Sequence, residues 1–287
     1  MKSMSIRLPM KLIFKEYAKL GLNAVQICGV ALGRAIGLID FPVPLNSSMR
    51  KTGSKTVRKY YVSGVTCYLP IATMALQLGI KLREKINILD FGCGVGRQLL
   101  QFTRNFPAPA YFACDVDHSA IDFIARKYPE VISRTNLFDP PLPFEAGSMD
   151  MVYSVSTFSH INPEHQQDWL REMYRITRPG GYCLLTTEGW TAFKKLRKIF
   201  PSGAAERELR EKGILYKEYE FFKEAKSHKS PSALVDNLVG IDKSYGSTVM
   251  TPEYIFKNWS SAGFKVISVV EGIIDHRQDL IVLHKPA

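Results

Sequence analysis

Residues 88–97 read ILDFGCGVGR, an apolar run that meets an acid, Asp90, and then places glycine at every second position, Gly92, Gly94 and Gly96. Glycine falls this way where a backbone must turn sharply and come close to something bulky, usually a nucleotide resting at a helix start. A second carboxylate follows at a suitable interval. Asp115, in ACDVD, lies twenty-three residues after Gly92, where an acid can take both hydroxyls of an adenosine ribose. Dinucleotide loops require a third glycine at position 97, and Arg97 stands there instead. The pair therefore supports a nucleoside ligand and departs from the dinucleotide fingerprint.

These residues need a scaffold, and the surrounding pattern supplies one. Strands are expected over 86–91, 110–116, 130–136, 149–155 and 182–187, with helices near 97–105, 119–128 and 163–177. Such alternation predicts a mostly parallel sheet with helices on both faces and its ligand at the carboxyl ends of the central strands. The segments 264–272 and 278–285 are joined by only IIDHR, too short for a crossover helix, so the last strand must run antiparallel. Between them and the fifth strand, residues 190–250 are charged and rich in Gly, Ser and Pro, and read as a lid insertion over the carboxyl edge. Ahead of the sheet, residues 1–50 look helical until Pro42 and Pro44, and 49–59 form a charged linker. The expected domains are therefore 1–59, an arm, and 60–287, the α/β body.

Five segments together carry a family resemblance: ILDFGCGVGR, ACDVD, LPFEAGSMDMVYSVSTFSHI, RITRPGGYCLLTTEG and DLIVLHK. From about Tyr60 onward the chain resembles class I S-adenosylmethionine-dependent methyltransferases of the bacterial small-molecule type. The resemblance implies a Rossmann-like seven-stranded sheet with an antiparallel last strand, and S-adenosyl-L-methionine as cofactor. It also implies a residue map. Gly92 and Gly94 would meet the methionine half, with Asp90 fixing a water or the ammonium. Asp115 would hold the ribose diol and Val116 pack on adenine. Asn136 and Leu137 would meet the adenine edge, Asn136 standing where the family often has Asp. Ser154 would offer its backbone carbonyl to the ammonium.

The acceptor side is read from the same resemblance. DPPLPF (139–144) is similar to the D-P-P-Y signature of enzymes that methylate amino groups of bases, but it precedes the fourth strand rather than following it, so it is a proline-stiffened connection. Where the signature belongs, the chain has SVSTFSHI, and His160 is the side chain placed to act as a base on a hydroxyl or protonated amine; the alternative is that it packs the following helix. Tyr153, Glu188 and Trp190 are expected near the acceptor with Tyr61 and Tyr245, the former from RKYYVSG, which precedes the first sheet helix, the latter from the insertion. His276 is expected at the surface.

Charge and composition bound the rest. Nine of the eleven net positive charges fall within residues 1–60, so the arm suits an anionic neighbour, with peripheral membrane contact one option. The weakly polar run 20–33 is too short and polar to span a bilayer. Five cysteines with no C-x-x-C pair fit neither a disulfide framework nor a zinc knuckle, which favours a cytoplasmic setting and no metal. The expected reaction is methyl transfer to oxygen or nitrogen of a small metabolite. The alternatives are a lipid, glycan or nucleic-acid acceptor, a nicotinamide-dependent oxidoreductase and a binding module without turnover. The near-neutral body and the missing signature argue against nucleic acid. The residues set neither the acceptor's identity nor an oligomeric state.

Overall fold

The computed structural model describes residues 30–32, 39–45, 48–49, 54, 56–201, 203–218 and 246–287. The chain divides into two compact units, Met1–Tyr61 and Val62–Ala287. In the first, residues 39–45 around Pro42 and Pro44 are not helical, and the rings of Phe41 and Tyr61 lie 5.0 Å apart. The expected helical arm falls largely outside the described residues, as does most of the run 20–33. No described helix is long and apolar enough to cross a membrane.

The second unit is built on a sheet of nine strands among the described residues. In chain order the elements are α1 (Val57–Gln77, which begins in the first unit), β1 (Asn87–Phe91), α2 (Leu99–Asn105), β2 (Ala110–Asp115), α3 (His118–Lys127), β3 (Ile132–Thr135), β4 (Met149–Ser154), α4 (Pro163–Ile176) and β5 (Thr177–Glu188). There follow α5 (Trp190–Phe193), α6 (Gly203–Lys212), β6 (Ile214–Glu218), β7 (Gly246–Met250), α7 (Pro252–Asn258), a 3-10 turn (Trp259–Ala262), β8 (Lys265–Ile274) and β9 (Gln278–His284). The parallel run is β3-β2-β1-β4-β5. β9 then pairs antiparallel with β5 from Tyr182↔His284 to Glu188↔Gln278, and β8 pairs antiparallel with β9. These seven strands are the expected doubly wound sheet with its reversed final strand. Two more come from the insertion: β6 and β7 pair antiparallel, and β7 touches β5 at Glu188↔Val249.

Local chemistry explains the element ends. Asp117 caps α3 by accepting from the N–H groups of Ser119 and Ala120, and Asn162 caps α4 by accepting from His165 N–H. Thr251 caps α7 through Tyr254 N–H. Pro163 and Pro252 follow the last two caps, where a missing N–H costs nothing. The helix expected from Arg97 begins only at Leu99, because Gly96 at φ 74° ends the loop in a left-handed conformation that a helix cannot continue. β8 runs two residues further than expected, to Ile274, and leaves a three-residue turn in which Asp275 and His276 have φ of 52° and 51°.

Strand alternation sorts side chains to two faces. Leu89, Phe91, Val152 and Leu185 join Trp169 and Met173 of α4, Trp259 and Phe264 in one core. On the opposite face Tyr153 stacks on Phe102 of α2 at 4.6 Å, and Tyr68 of α1 meets Phe102 edge-on at 4.9 Å. A third cluster, Phe193, Leu196, Phe200, Leu209 and Val249, closes the insertion around α5 and α6.

Trp259 is wholly buried, its ring 5.3 Å from Phe158, and its indole N–H has no hydrogen-bond partner among the described residues. Trp259→Ala is expected to cost about 3–5 kcal/mol in urea unfolding. Trp259→Phe should cost markedly less, since only volume and no hydrogen bond is lost.

Candidate active site

The cofactor end of the site grows from the β1–α2 turn. Gly92, Gly94 and Gly96 all have positive φ, 72°, 51° and 74°, which side chains with a Cβ rarely tolerate. Space is short as well. A Cβ on Gly92 would lie 2.2 Å from Thr157 Oγ1, and one on Gly96 2.6 Å from Ile124 Cδ1. The loop is tied to β2: Gly92 and Cys93 N–H donate to Cys114 O at 2.9 and 3.0 Å. Asp115 Oδ2 accepts Gly94 N–H at 2.7 Å, and its Oδ1 accepts Asp117 N–H at 2.8 Å. Arg97, at the place of the absent third glycine, reaches Ser63 Oγ of α1 at 3.3 Å, and Gly64 allows Arg97 O to come so close that a Cβ would sit 2.5 Å away.

Asp90 is buried behind this loop. Tyr153, its cross-strand neighbour in register, donates its hydroxyl to Asp90 Oδ2 at 2.9 Å. Burial pushes the Asp90 carboxyl up to about 7; the Tyr153 hydrogen bond opposes the rise and nearby Asp115 adds to it. Tyr153, expected beside the acceptor, thus has its hydroxyl on the cofactor-end acid and its ring in the α2 core. Ser154 is fully buried, and its Oγ donates to Phe91 O at 2.8 Å, joining β4 to the end of β1. Val116 is half-buried beyond β2. At the end of β3, Asn136 is buried and its Nδ2 donates to Leu137 O at 2.7 Å, while its Oδ1 has no hydrogen-bond partner among the described residues. The adjoining Leu137 is 77% exposed.

These features fit S-adenosylmethionine. The glycines let the loop backbone come close to a ligand, Asp115 at the end of β2 is a carboxylate of the kind that takes a ribose diol, and Asn136 Oδ1 is an acceptor suited to an adenine amino group.

The acceptor end lies where β4, β5, β7 and β9 meet. Glu188, 2% exposed at the end of β5, is ion-paired with Arg277, and Ser247 Oγ lies 3.5 Å from its Oε2. His160 is half-buried. Its Nδ1 faces Gly246 O at 3.0 Å, and backbone bonds from Gly246 and Thr248 N–H to His160 and Ser159 O bind this stretch to β7. Burial holds the His160 imidazole below its usual value, with the Gly246 carbonyl and Glu188 pulling the other way and Arg277 adding to the fall. A nitrogen against a carbonyl must carry the proton, which leaves Nε2 as the lone-pair side.

Several residues here were missed in the sequence. Ser156, directly after β4, has φ 66°, uncommon for a side chain of this kind. Its N–H donates to Thr186 Oγ1 at 2.8 Å, and Gln278 bonds both Ser156 Oγ and Thr186 Oγ1. Arg277 ends what reads as a plain connection, and Gln278 opens what reads as a plain strand. No local signal marks them, since Ser156 and Gln278 are 122 positions apart. Trp190, expected as an acceptor wall, lies on the insertion core, edge-on to Phe193 at 5.8 Å with the Arg210 guanidinium 4.9 Å above its ring. Tyr61 belongs to the first unit, and Tyr245 lies outside the described residues. His276 is exposed, as expected. DPPLPF is a pinned connection: buried Glu172 accepts Leu142 N–H at 2.6 Å, and Arg175 bonds the carbonyls of Leu142 and Phe144.

Residues 88–181 match the family model of a methyltransferase domain. Residues 88–181 are thus a methyltransferase domain, and its cofactor is S-adenosylmethionine. Among solved structures, S-adenosylmethionine-dependent methyltransferases share the fold. One from Methanosarcina mazei aligns at TM-score 0.51 and 17% identity over 73% of this chain and 97% of that one. Another from Aquifex aeolicus aligns at 0.50 and 15% over 85% and 100%. Among curated proteins, the tRNA N(3)-methylcytidine methyltransferase Mettl2 of Drosophila melanogaster is 32% identical over 126 residues, 41% of this chain and 38% of that protein. The human tRNA N(3)-cytidine methyltransferase METTL2B is 28% identical over 119 residues, 38% and 32% of the two. The matched region thus spans less than two-fifths of these relatives' length.

Two outcomes test the cofactor end. Gly92→Ala is expected to abolish detectable binding of S-adenosylhomocysteine in calorimetry, because its Cβ would collide with Thr157. With Asp90 taking the cofactor's ammonium, affinity should fall as pH drops through about 7. Tyr153→Phe removes a bond that favours ionised Asp90, so the same limb should move to higher pH while the Phe102 stack persists.

Proposed function

We propose that this chain methylates a ring nitrogen of a base in a folded RNA, of the cytidine N3 kind named for its curated relatives. The observation that carries this reading is the pairing of a buried carboxylate, Glu188, with a neutral imidazole, His160, at the acceptor end. When bound, S-adenosylmethionine supplies an electrophilic methyl group. A ring nitrogen such as cytidine N3 attacks with its own lone pair, so no proton has to leave that atom, and the base gains a positive charge. What the protein must provide is position, a dry pocket and negative potential near the developing cation.

The two side chains meet those needs. Glu188 lies where the charge would develop, kept in place by Arg277 and Ser247. His160 Nε2 and a Glu188 oxygen are both acceptors, a pattern that suits the exocyclic amino group beside cytidine N3 and opposes uracil, which presents a carbonyl there. The absence of the planar-amine signature after β4 then agrees with the chemistry, since the exocyclic amine is recognised and not methylated. The cofactor-end residues Asp90, Gly92, Gly94, Asp115, Val116, Asn136, Leu137 and Ser154 hold the donor in the roles expected of them. Methylation of a small metabolite, the expectation from sequence alone, has in its favour the near-neutral charge of residues 61–287; the tRNA-methylating relatives favour the RNA reading.

Incubation with isotopically labelled methyl donor and tRNA-sized transcripts, followed by nucleoside digestion, should place label in methylcytidine. Label that enters only small molecules of a cell extract would overturn the reading. His160→Ala and Glu188→Gln are each expected to lower turnover about 10²-fold with S-adenosylhomocysteine affinity nearly unchanged. Because burial lowers the His160 pKa, wild-type turnover measured at saturating S-adenosylmethionine, which removes the Asp90 effect on affinity, should persist at pH 6.5 and fall only as pH drops further and the imidazole gains its proton.

A further inference from the structure

We infer that the segment following α5 is the surface that grips the phosphate backbone of the acceptor RNA, an inference that rests on the RNA reading above. Between Glu188 and Glu206 the chain carries four cations and no acid: Lys194, Lys195, Arg197 and Lys198. All four side chains are exposed. The apolar residues interleaved with them, Phe193, Leu196 and Phe200, point the other way into the insertion core. The result is a short ridge with cations outward and hydrocarbon inward. The nearest acids along the chain do not offset it, because Glu206 and Glu208 on α6 are already paired with Arg210 and Lys212.

The ridge is continuous with the acceptor end. Lys195 Nζ donates to His276 O, and the next residue, Arg277, holds Glu188. A strand bound by its phosphates along Lys194–Lys198 would therefore lie beside the pocket that receives one of its bases. Sequence spacing also puts the ridge directly after the β5 end, with only Gly189 and α5 between Glu188 and Lys194.

The chemistry of the surface selects among polyanions. An anionic membrane would be met by cations together with exposed apolar side chains that enter the bilayer, but no large hydrophobic residue of 190–218 is exposed among the described residues. A single strand would be met by exposed aromatic rings on which bases stack, but Trp190, Phe193 and Phe200 pack on the insertion core and Tyr216 is half-buried in β6. Cations without rings suit the phosphates of a folded or duplex segment, read by shape, with a single nucleotide turned out into the site.

Fluorescence anisotropy with a labelled tRNA-sized transcript tests this, using the full chain and titrating salt. Relative to wild type, K194A/K195A/R197A/K198A is expected to raise Kd about 10- to 100-fold at moderate salt and to flatten the log–log salt slope by about three. R197A/K198A leaves the Lys195–His276 contact intact and should show about half that loss of slope. Calorimetry with S-adenosylhomocysteine should give wild-type affinity for both variants, which shows that the domain is folded. Wild-type and variant proteins binding RNA with equal affinity and slope would overturn the ridge while leaving RNA methylation standing. A wild type that binds no RNA but binds phosphatidylserine vesicles would overturn the ridge as an RNA surface. Methylcytidine formation, read separately, decides the activity.

Discussion

The carboxylate of Asp115 is the interaction on which the site depends. It accepts the N–H of Gly94 from one loop and of Asp117 from the next, so a single side chain sets the distance between the β1–α2 turn and the β2–α3 turn. Both turns need that restraint. The first has three glycines in left-handed conformations, which lose more freedom on folding than other residues, and the second starts a helix whose cap, Asp117, is itself positioned by Asp115. Asp90 lies behind the loop and Asn136 beyond β3, so the donor pocket is an extension of one hydrogen-bonded junction between parallel strands.

The acceptor end follows a different logic. There the constraint is the register of β5, which is held by β4 on one side and by β9 on the other, with β7 joining at its last residue. Glu188 stands opposite Gln278 and next to Val249, and the turn before β9 delivers Arg277 to it. The reversed last strand is thus more than a way of closing the sheet. It brings a cation and an amide from the chain's end to the carboxyl edge, where a parallel strand entering from below would have presented its own carboxyl end and no turn.

How much of this could be read from the sequence divides along the same line. The donor pocket was legible because its signals are local: glycines at every second position, an acid before them and an acid twenty-three residues on. The short connection before β9 was legible for the same reason. The acceptor end was legible only at Glu188, at the end of β5, and His160, in the loop after β4. Their partners come from far away in sequence, Arg277 to Glu188 across 89 positions and Ser156 to Gln278 across 122, and a lone Arg or Gln in a turn carries no pattern. Tyr153 shows the opposite limit. Its place at the end of β4 suggested an acceptor role, but alternation along the strand turned its ring into the α2 core and its hydroxyl onto Asp90. β6 and β7 were hidden because β7 gains its hydrogen bonds partly from the irregular stretch 159–161.

The two ends also treat buried acids differently. Asp90 and Asp279 are both pushed to about 7 by burial. Each then holds a proton in the folded state that the unfolded chain would release from about pH 4 upward, so each weakens the fold as pH rises through that window. For Asp279 only one bond opposes the rise, Gly272 N–H to Oδ1 at 2.8 Å, while Oδ2, close against Gly189, has no hydrogen-bond partner among the described residues. Asp90 has a remedy built into its position. A cationic ligand arriving at the glycine loop meets a carboxyl that Tyr153 already biases toward the charged form, and ionising it against an ammonium recovers what burial removed. Binding then releases a proton near neutral pH, and the instability of an empty donor pocket becomes affinity for a positively charged one. A neutral nucleoside could occupy the ribose and adenine contacts of Asp115 and Asn136, but only a ligand that carries charge at the methionine end collects that return. With Asp90 as the proposed partner of the ammonium, its burial does part of the selecting that Gly92, Gly94 and Gly96 only permit.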